Sequence, residues 1–259
     1  MNSVKFKYSF QDPMVKILTG LLVFLTLGCL IAGRNENGSV YRVEIDAAFG
    51  GTNPGFTGLI NEASVNEKAA DALEALLKKD GRFDVIRTHA PGTDATVADT
   101  AAKIAEDQPE LVLSIHAGWN PDSKMSGTRV YTDLPGRPGQ KESLKFAQEV
   151  QKAFTEENWD ASLNYLYYHE GENGTWTVEV QPVSDEAKAP ENPVTWTLFE
   201  KTDVPCVIAE QFFVSNQKDI DRWNNADGYE LIAQKYYSAL CSYFGIQQKT
   251  FEEETEENS

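Results

Sequence analysis

The chain has 259 residues, 41% of them apolar, enough to bury one sizeable core. Its formal charge of −17 repels nucleic-acid phosphates, and no Lys/Arg cluster offers a local exception, so nucleic acid is excluded as a partner. Three cysteines do not make a disulfide framework, and no fixed-period repeat divides the sequence.

Lys5, Lys7 and Lys16 precede an apolar run, Ile17 to Gly33, that no charge interrupts. At ~20 residues per span this run is about long enough to cross a bilayer, and the lysines before it keep the N-terminus in the cytoplasm. The expected organisation is a cytoplasmic N-terminus over 1–13, a transmembrane signal-anchor over 14–33 and a linker over 34–40. Everything after it is then extracytoplasmic, held at the cell membrane by a single pass. A signal peptide is the alternative and would make the protein secreted, although Gly28, Ala32 and Gly33 make only an imperfect cleavage site.

The run Val40 to Ala47 reads as a buried strand that Gly50-Gly51 breaks. Residues 64–79 carry Val65, Ala69, Ala72, Leu73, Leu76 and Leu77 at helical spacing, and Gly81 stops them. A strand at Phe83–Arg87, a helix at about Thr96–Glu106, and strands at Leu111–Ile115 and Thr128–Thr132 continue the alternation, followed by a helix over 141–155. This pattern predicts an α/β layered domain over 41–246 with a mostly parallel central sheet flanked by helices, and ligands held at the strand carboxyl ends. Asn164–His169 and Thr175–Val180 then read as a β-hairpin turning at Asn173-Gly174, taken as an insertion over about 160–195. A Pro-rich loop, a strand over 204–210, a helix over 227–244 and an acidic, solvated tail over 247–259 complete the chain.

Four polar residues stand where such a sheet concentrates chemistry. Asp46 ends the first strand, His116 ends the third, Glu210 ends the last, and Glu67 opens the first helix. A histidine with carboxylates at one sheet edge suits metal binding with an acid/base group beside it.

Read as strings, these segments resemble the N-acetylmuramoyl-L-alanine amidases, zinc enzymes that cut peptidoglycan between N-acetylmuramoyl and L-alanine. The family's first strand, I-D-A-G-H-G-G, falls on Ile45-Asp46-Ala47-Ala48-Phe49-Gly50-Gly51, so a metal histidine is replaced by Phe49. The family's S-I-H-A-N falls on Ser114 to Gly118, its G-x-x-V-Y on Gly127 to Tyr131, and its P-A-V-L-V-E-x-G-F-x-S-N on Pro205 to Asn216. A helix-start glutamate falls on Glu67 of Asn66-Glu67-Lys68. The resemblance implies Zn²⁺ on Glu67 and His116, with Phe49 at the third ligand position, and Glu210 as the catalytic glutamate that deprotonates a water and protonates the leaving amine. It also implies a peptidoglycan glycopeptide as the partner.

Other readings stay open for several of these residues. Ser64-x-x-Glu67 is also a capping box, worth ~1 kcal/mol without any metal. His89 reads as a surface loop residue, and His169 could fold over the cleft as a replacement ligand. Tyr165, Tyr167, Tyr168 and Trp176 could line a sugar-binding surface or pack across strands. Because a phenyl ring cannot donate a lone pair to zinc, two functions follow: a peptidoglycan amidase, or a catalytically inactive amidase-fold module that binds peptidoglycan or regulates a partner hydrolase.

Overall fold

The computed structural model describes residues 40–155, 159–171, 173–184 and 193–251. The expected anchor over 14–33, most of the Pro-rich loop and the end of the acidic tail lie outside them. Among the described residues no helix is long and apolar enough to cross a membrane.

In chain order the elements are β1 (Tyr41–Ala47), α1 (Glu62–Asp80), β2 (Phe83–Arg87), α2 (Val97–Asp107), β3 (Leu111–Gly118), β4 (Thr128–Thr132), α3 (Gln140–Phe154), β5 (Ala161–Glu170), β6 (Trp176–Pro182), α4 (Thr197–Lys201), β7 (Cys206–Phe213), α5 (Gln217–Trp223) and α6 (Ala226–Phe244). The strands form one sheet ordered β2-β1-β3-β7-β4-β5-β6. The first four strands in that order run parallel, β4 lies antiparallel to β7, β5 returns parallel to β4, and β6 closes the edge antiparallel.

The expected mostly parallel α/β sheet is therefore present, and both of its faces are covered. On one face Val43, Ile45, Leu111, Leu113 and Val207 pack against α1, α3 and α6 in the main core. On the other, Ile104 of α2 and Leu198 and Phe199 of α4 cover Val112, Tyr131, Leu166 and Ile208. Burial on both faces explains the near-continuous apolar strand sequences.

Two local expectations change. Helix α1 begins at Glu62 rather than Ser64, with Asn61 as its N-cap residue, so Ser64 is inside the helix and Ser64–Glu67 is not a capping box. The hairpin is longer than expected and is not an appendage: β5 pairs with β4 over Thr128↔Ala161 to Tyr131↔Asn164 and extends the central sheet. Tyr165 and Tyr167 are buried by this arrangement, which removes them from any open sugar-binding surface.

One core residue runs against the burial rules. Glu44 on β1 has no exposed surface, and neither carboxylate oxygen has a hydrogen-bond partner. Burial, reinforced by the Asp107 carboxylate and opposed by Lys103, raises its pKa from 4.5 to about 7. A carboxyl whose folded pKa lies above its unfolded value favours the folded state when protonated. Its stabilising contribution is full below pH 4.5 and is lost as the pH rises toward 7, at a cost of about 3 kcal/mol. Glu44→Gln should therefore be more stable than the natural protein at pH 8 and nearly equal to it at pH 5. Urea unfolding at the two pH values checks this, and an equal difference at both would contradict it.

Candidate active site

The pairing of β3 with β7 sets the site. His116 and Glu210 are direct register partners on adjacent parallel strands, so both side chains leave the sheet at its carboxyl edge. Glu210 also lies opposite Arg129 of the antiparallel β4, and the Tyr131 hydroxyl donates to Glu210 Oε2 at 3.3 Å. Burial pushes the Glu210 carboxyl above the usual carboxylate range, against the pull of the Arg129 and His116 charges.

The partner of His116 is Glu62, the first residue of α1. His116 Nδ1 lies 3.0 Å from Glu62 Oε1, which also accepts from the Ala117 backbone N–H at 3.2 Å. Glu62 Oε2 accepts from the Phe56 backbone N–H at 3.0 Å, and the residue is 1% exposed. Burial alone would lower the His116 pKa, but the hydrogen bond that the ring donates to Glu62, together with that carboxylate's charge, outweighs it and the imidazolium is favoured.

Glu67 is placed elsewhere. Its Oε1 pairs with Arg87, which also reaches Asp71 at 3.0 Å and Glu74 at 3.2 Å, so Glu67 belongs to a carboxylate cluster around one guanidinium. Sequence reasoning missed Glu62, although a signal for it was present. The buried stripe Val65, Asn66, Ala69, Leu73, extended backward by one helical turn, lands on Glu62 and not on Glu67.

Phe49 sits where the resemblance puts a ligand. Its ring is 5.7 Å from the His116 ring in an edge-on arrangement at 84°. Its backbone adopts φ 69°, a left-handed conformation rare for a bulky residue. The loop wraps tightly around it: a Cβ on Gly55 would stand 2.6 Å from Phe49 Cδ2 and 2.8 Å from Glu62 Oε2. On the far side the Trp196 ring lies 5.6 Å from His116 and 5.8 Å from Tyr131.

The remaining candidates take supporting positions. Asp46 accepts from Thr88 Oγ1 at 2.8 Å and Ser114 Oγ at 2.6 Å, tying β1 to its neighbours. His89 is not a free surface residue, since its Nε2 lies 2.9 Å from the Ala47 carbonyl oxygen and its ring lines the cavity beside His116. His169 stays on the hairpin, next to Tyr167, and does not line that cavity. The cavity holds about 350 Å³ between Phe49, His89, Thr96, His116, Tyr168 and Trp196. A larger hollow of about 500 Å³ between α1 and α6 contains none of these residues.

These residues do not fit a zinc ion held by three protein ligands. Among the described residues no three His, Cys, Asp or Glu side chains converge to hold a metal. The position that the resemblance gives to a further ligand holds an apolar ring, and both Glu62 oxygens already accept backbone N–H groups.

The sequence profile of the N-acetylmuramoyl-L-alanine amidase family matches residues 43–242. The chain belongs to that family. No curated protein matches it by sequence. Among solved structures it is similar to the catalytic domain of CwlV, an N-acetylmuramoyl-L-alanine amidase from Bacillus (Paenibacillus) polymyxa var. colistinus, at 20% identity and TM-score 0.62, over 80% of this chain and 100% of that one. An N-acetylmuramoyl-L-alanine amidase from Clostridium difficile 630 matches at 17% identity and TM-score 0.61, over 80% and 98%. The CwlD amidase of Clostridioides difficile, solved in complex with the GerS lipoprotein, matches at 17% and 0.55, over 79% and 98%. At these identities the structures establish a shared fold.

Glu62 and Glu67 should separate cleanly by mutation. Glu62→Ala orphans two backbone donors and the imidazolium, at about 2–4 kcal/mol, whereas Glu67→Ala leaves Arg87 two other carboxylates and should cost below ~1 kcal/mol. Denaturant midpoints of the two variants test the ranking, and equal losses would refute it.

Proposed function

We propose that the domain acts on peptidoglycan at the amide between N-acetylmuramoyl and L-alanine, with turnover limited by Phe49. The observation that carries this reading is the His116–Glu210 register pair at the carboxyl edge of the sheet, in a chain whose residues 43–242 match the amidase family. Glu210 is the group assigned to proton transfer. Its carboxylate is held by the Tyr131 hydroxyl beside His116, in position to take a proton from an attacking water and return it to the leaving amine. His116 meets the substrate amide, and Glu62, buried and fully engaged behind it, acts only by holding the imidazole in place. Two of a metal site's three donors remain, so no step is assigned to a metal. A first-position ligand loss should depress activity at least as much as the 10–100-fold typical of losing a supporting partner.

The proposed setting is the extracytoplasmic face of the cell membrane. It rests on the uncharged run Ile17 to Gly33 behind Lys5, Lys7 and Lys16. A lipoprotein partner of the kind bound to CwlD would be met on that side.

The test is release of peptides with a free L-alanine amino terminus from purified peptidoglycan. We expect slow release by the natural protein, abolished by Glu210→Gln. Phe49→His should retain zinc through dialysis, read by elemental analysis, and raise release at least tenfold. Absence of both release and peptidoglycan binding in the natural protein would overturn the reading. Binding without release would leave the inactive-module alternative in its place.

A further inference from the structure

We infer that the exposed rings of Phe56 and Trp119 form a stacking platform for the pyranose rings of the glycan, beside the site; this rests on the peptidoglycan reading above. The two rings lie nearly parallel, 9° apart, with centroids 5.7 Å from each other. Yet Phe56 is 54% and Trp119 41% exposed, and Leu59, three residues after Phe56, is 59% exposed. Beyond the contact between the two rings, this apolar surface has no internal use and is available to a ligand.

The platform is continuous with the site. Trp119 follows His116 by three residues, and the Phe56 N–H donates to Glu62 Oε2, whose other oxygen meets His116. It is also pinned from below: Leu59 N donates to the Val214 carbonyl at 2.9 Å, and Val214 N donates to the Gly118 carbonyl at 2.9 Å. Both ring-bearing loops thus hang on one residue of the segment after β7. Gly58 has no room for a side chain there, since a Cβ would stand 2.4 Å from the Val214 oxygen. A pre-set aromatic surface loses little entropy on binding.

The chemistry selects a sugar. A pyranose offers a face of C–H groups that packs on an indole or phenyl face, and a protein of formal charge −17 disfavours an anionic occupant. A substrate amide at His116 would have its sugar on one side and its peptide on the other. The 350 Å³ cavity lined by Phe49 and Trp196 is concave and suits the peptide, and the flat platform suits the glycan.

Isothermal titration of the full chain with two probes tests this: neutral oligosaccharides of N-acetylglucosamine, and the free stem peptide. Trp119→Ala should weaken oligosaccharide binding about tenfold or more, Trp119→Phe should retain most of it, and stem-peptide affinity should not change. Unchanged oligosaccharide affinity in Trp119→Ala would overturn the assignment, as would an equal loss of stem-peptide affinity. A dimer lost on Trp119→Ala, with sugar affinity intact, would give the surface to a second copy and also overturn it. If the natural protein binds or cuts whole peptidoglycan in any of these cases, only the platform fails; if it does neither, the functional reading fails first.

Discussion

One buried carboxylate organises the working end of this molecule. Glu62 takes an N–H from the loop after β1, an N–H from the end of β3 and the imidazole of His116, all with 1% of its surface exposed. A charged group so far from water is tolerable only when its lone pairs are met, and here three donors from two separate segments meet them. The consequence is geometric. The loop carrying Phe49 and Phe56 cannot move without unseating Glu62, and His116 cannot rotate without losing its partner.

That carboxylate fixes one strand end, and the sheet fixes the other. Parallel pairing of β3 and β7 sets His116 beside Glu210, and the antiparallel β4 supplies Arg129 and Tyr131 across from it. Because the strand order brings β7 between β3 and β4, groups nearly a hundred residues apart in the chain converge at one edge. The hairpin strands extend that sheet, and the Tyr168 N–H bond to the Val194 carbonyl, at 2.7 Å, sets the start of the segment that lays Trp196 over His116. What reads as an insertion is a wall of the site.

The sheet was legible in the sequence because strands buried on both faces and amphipathic helices leave strong periodic marks. His116 and Glu210 were legible for the same reason, since each ends an apolar run. Glu62 was not read, because Ser64-x-x-Glu67 looks like a cap and Asn66-Glu67-Lys68 looks like a metal segment, while the true start of α1 lies earlier. Residues 62 and 67 are five apart, about 140° around a helix, so only one of them can face the sheet. The platform of Phe56 and Trp119 was not readable either. Its rings are 63 residues apart and meet only because two loops share the Val214 backbone.

Phe49 sets the character of the space around His116. Its φ of 69° is a conformation that His, Asn and Asp occupy far more readily than an aromatic, and holding it costs of order 1–3 kcal/mol. The positive-φ Gly50 and Gly51 beside it, with no room for a Cβ against Thr93 and Asp94, keep the loop in that shape whatever side chain residue 49 carries. The loop thus has a backbone suited to a polar side chain while presenting a phenyl edge to His116. An imidazole there would add a donor and admit solvent or a cation; the phenyl ring does the opposite, drying the space around His116 and favouring its closed pair with Glu62. The loop backbone and the ring it carries therefore pull in different directions, and the strain at residue 49 is where that conflict is stored.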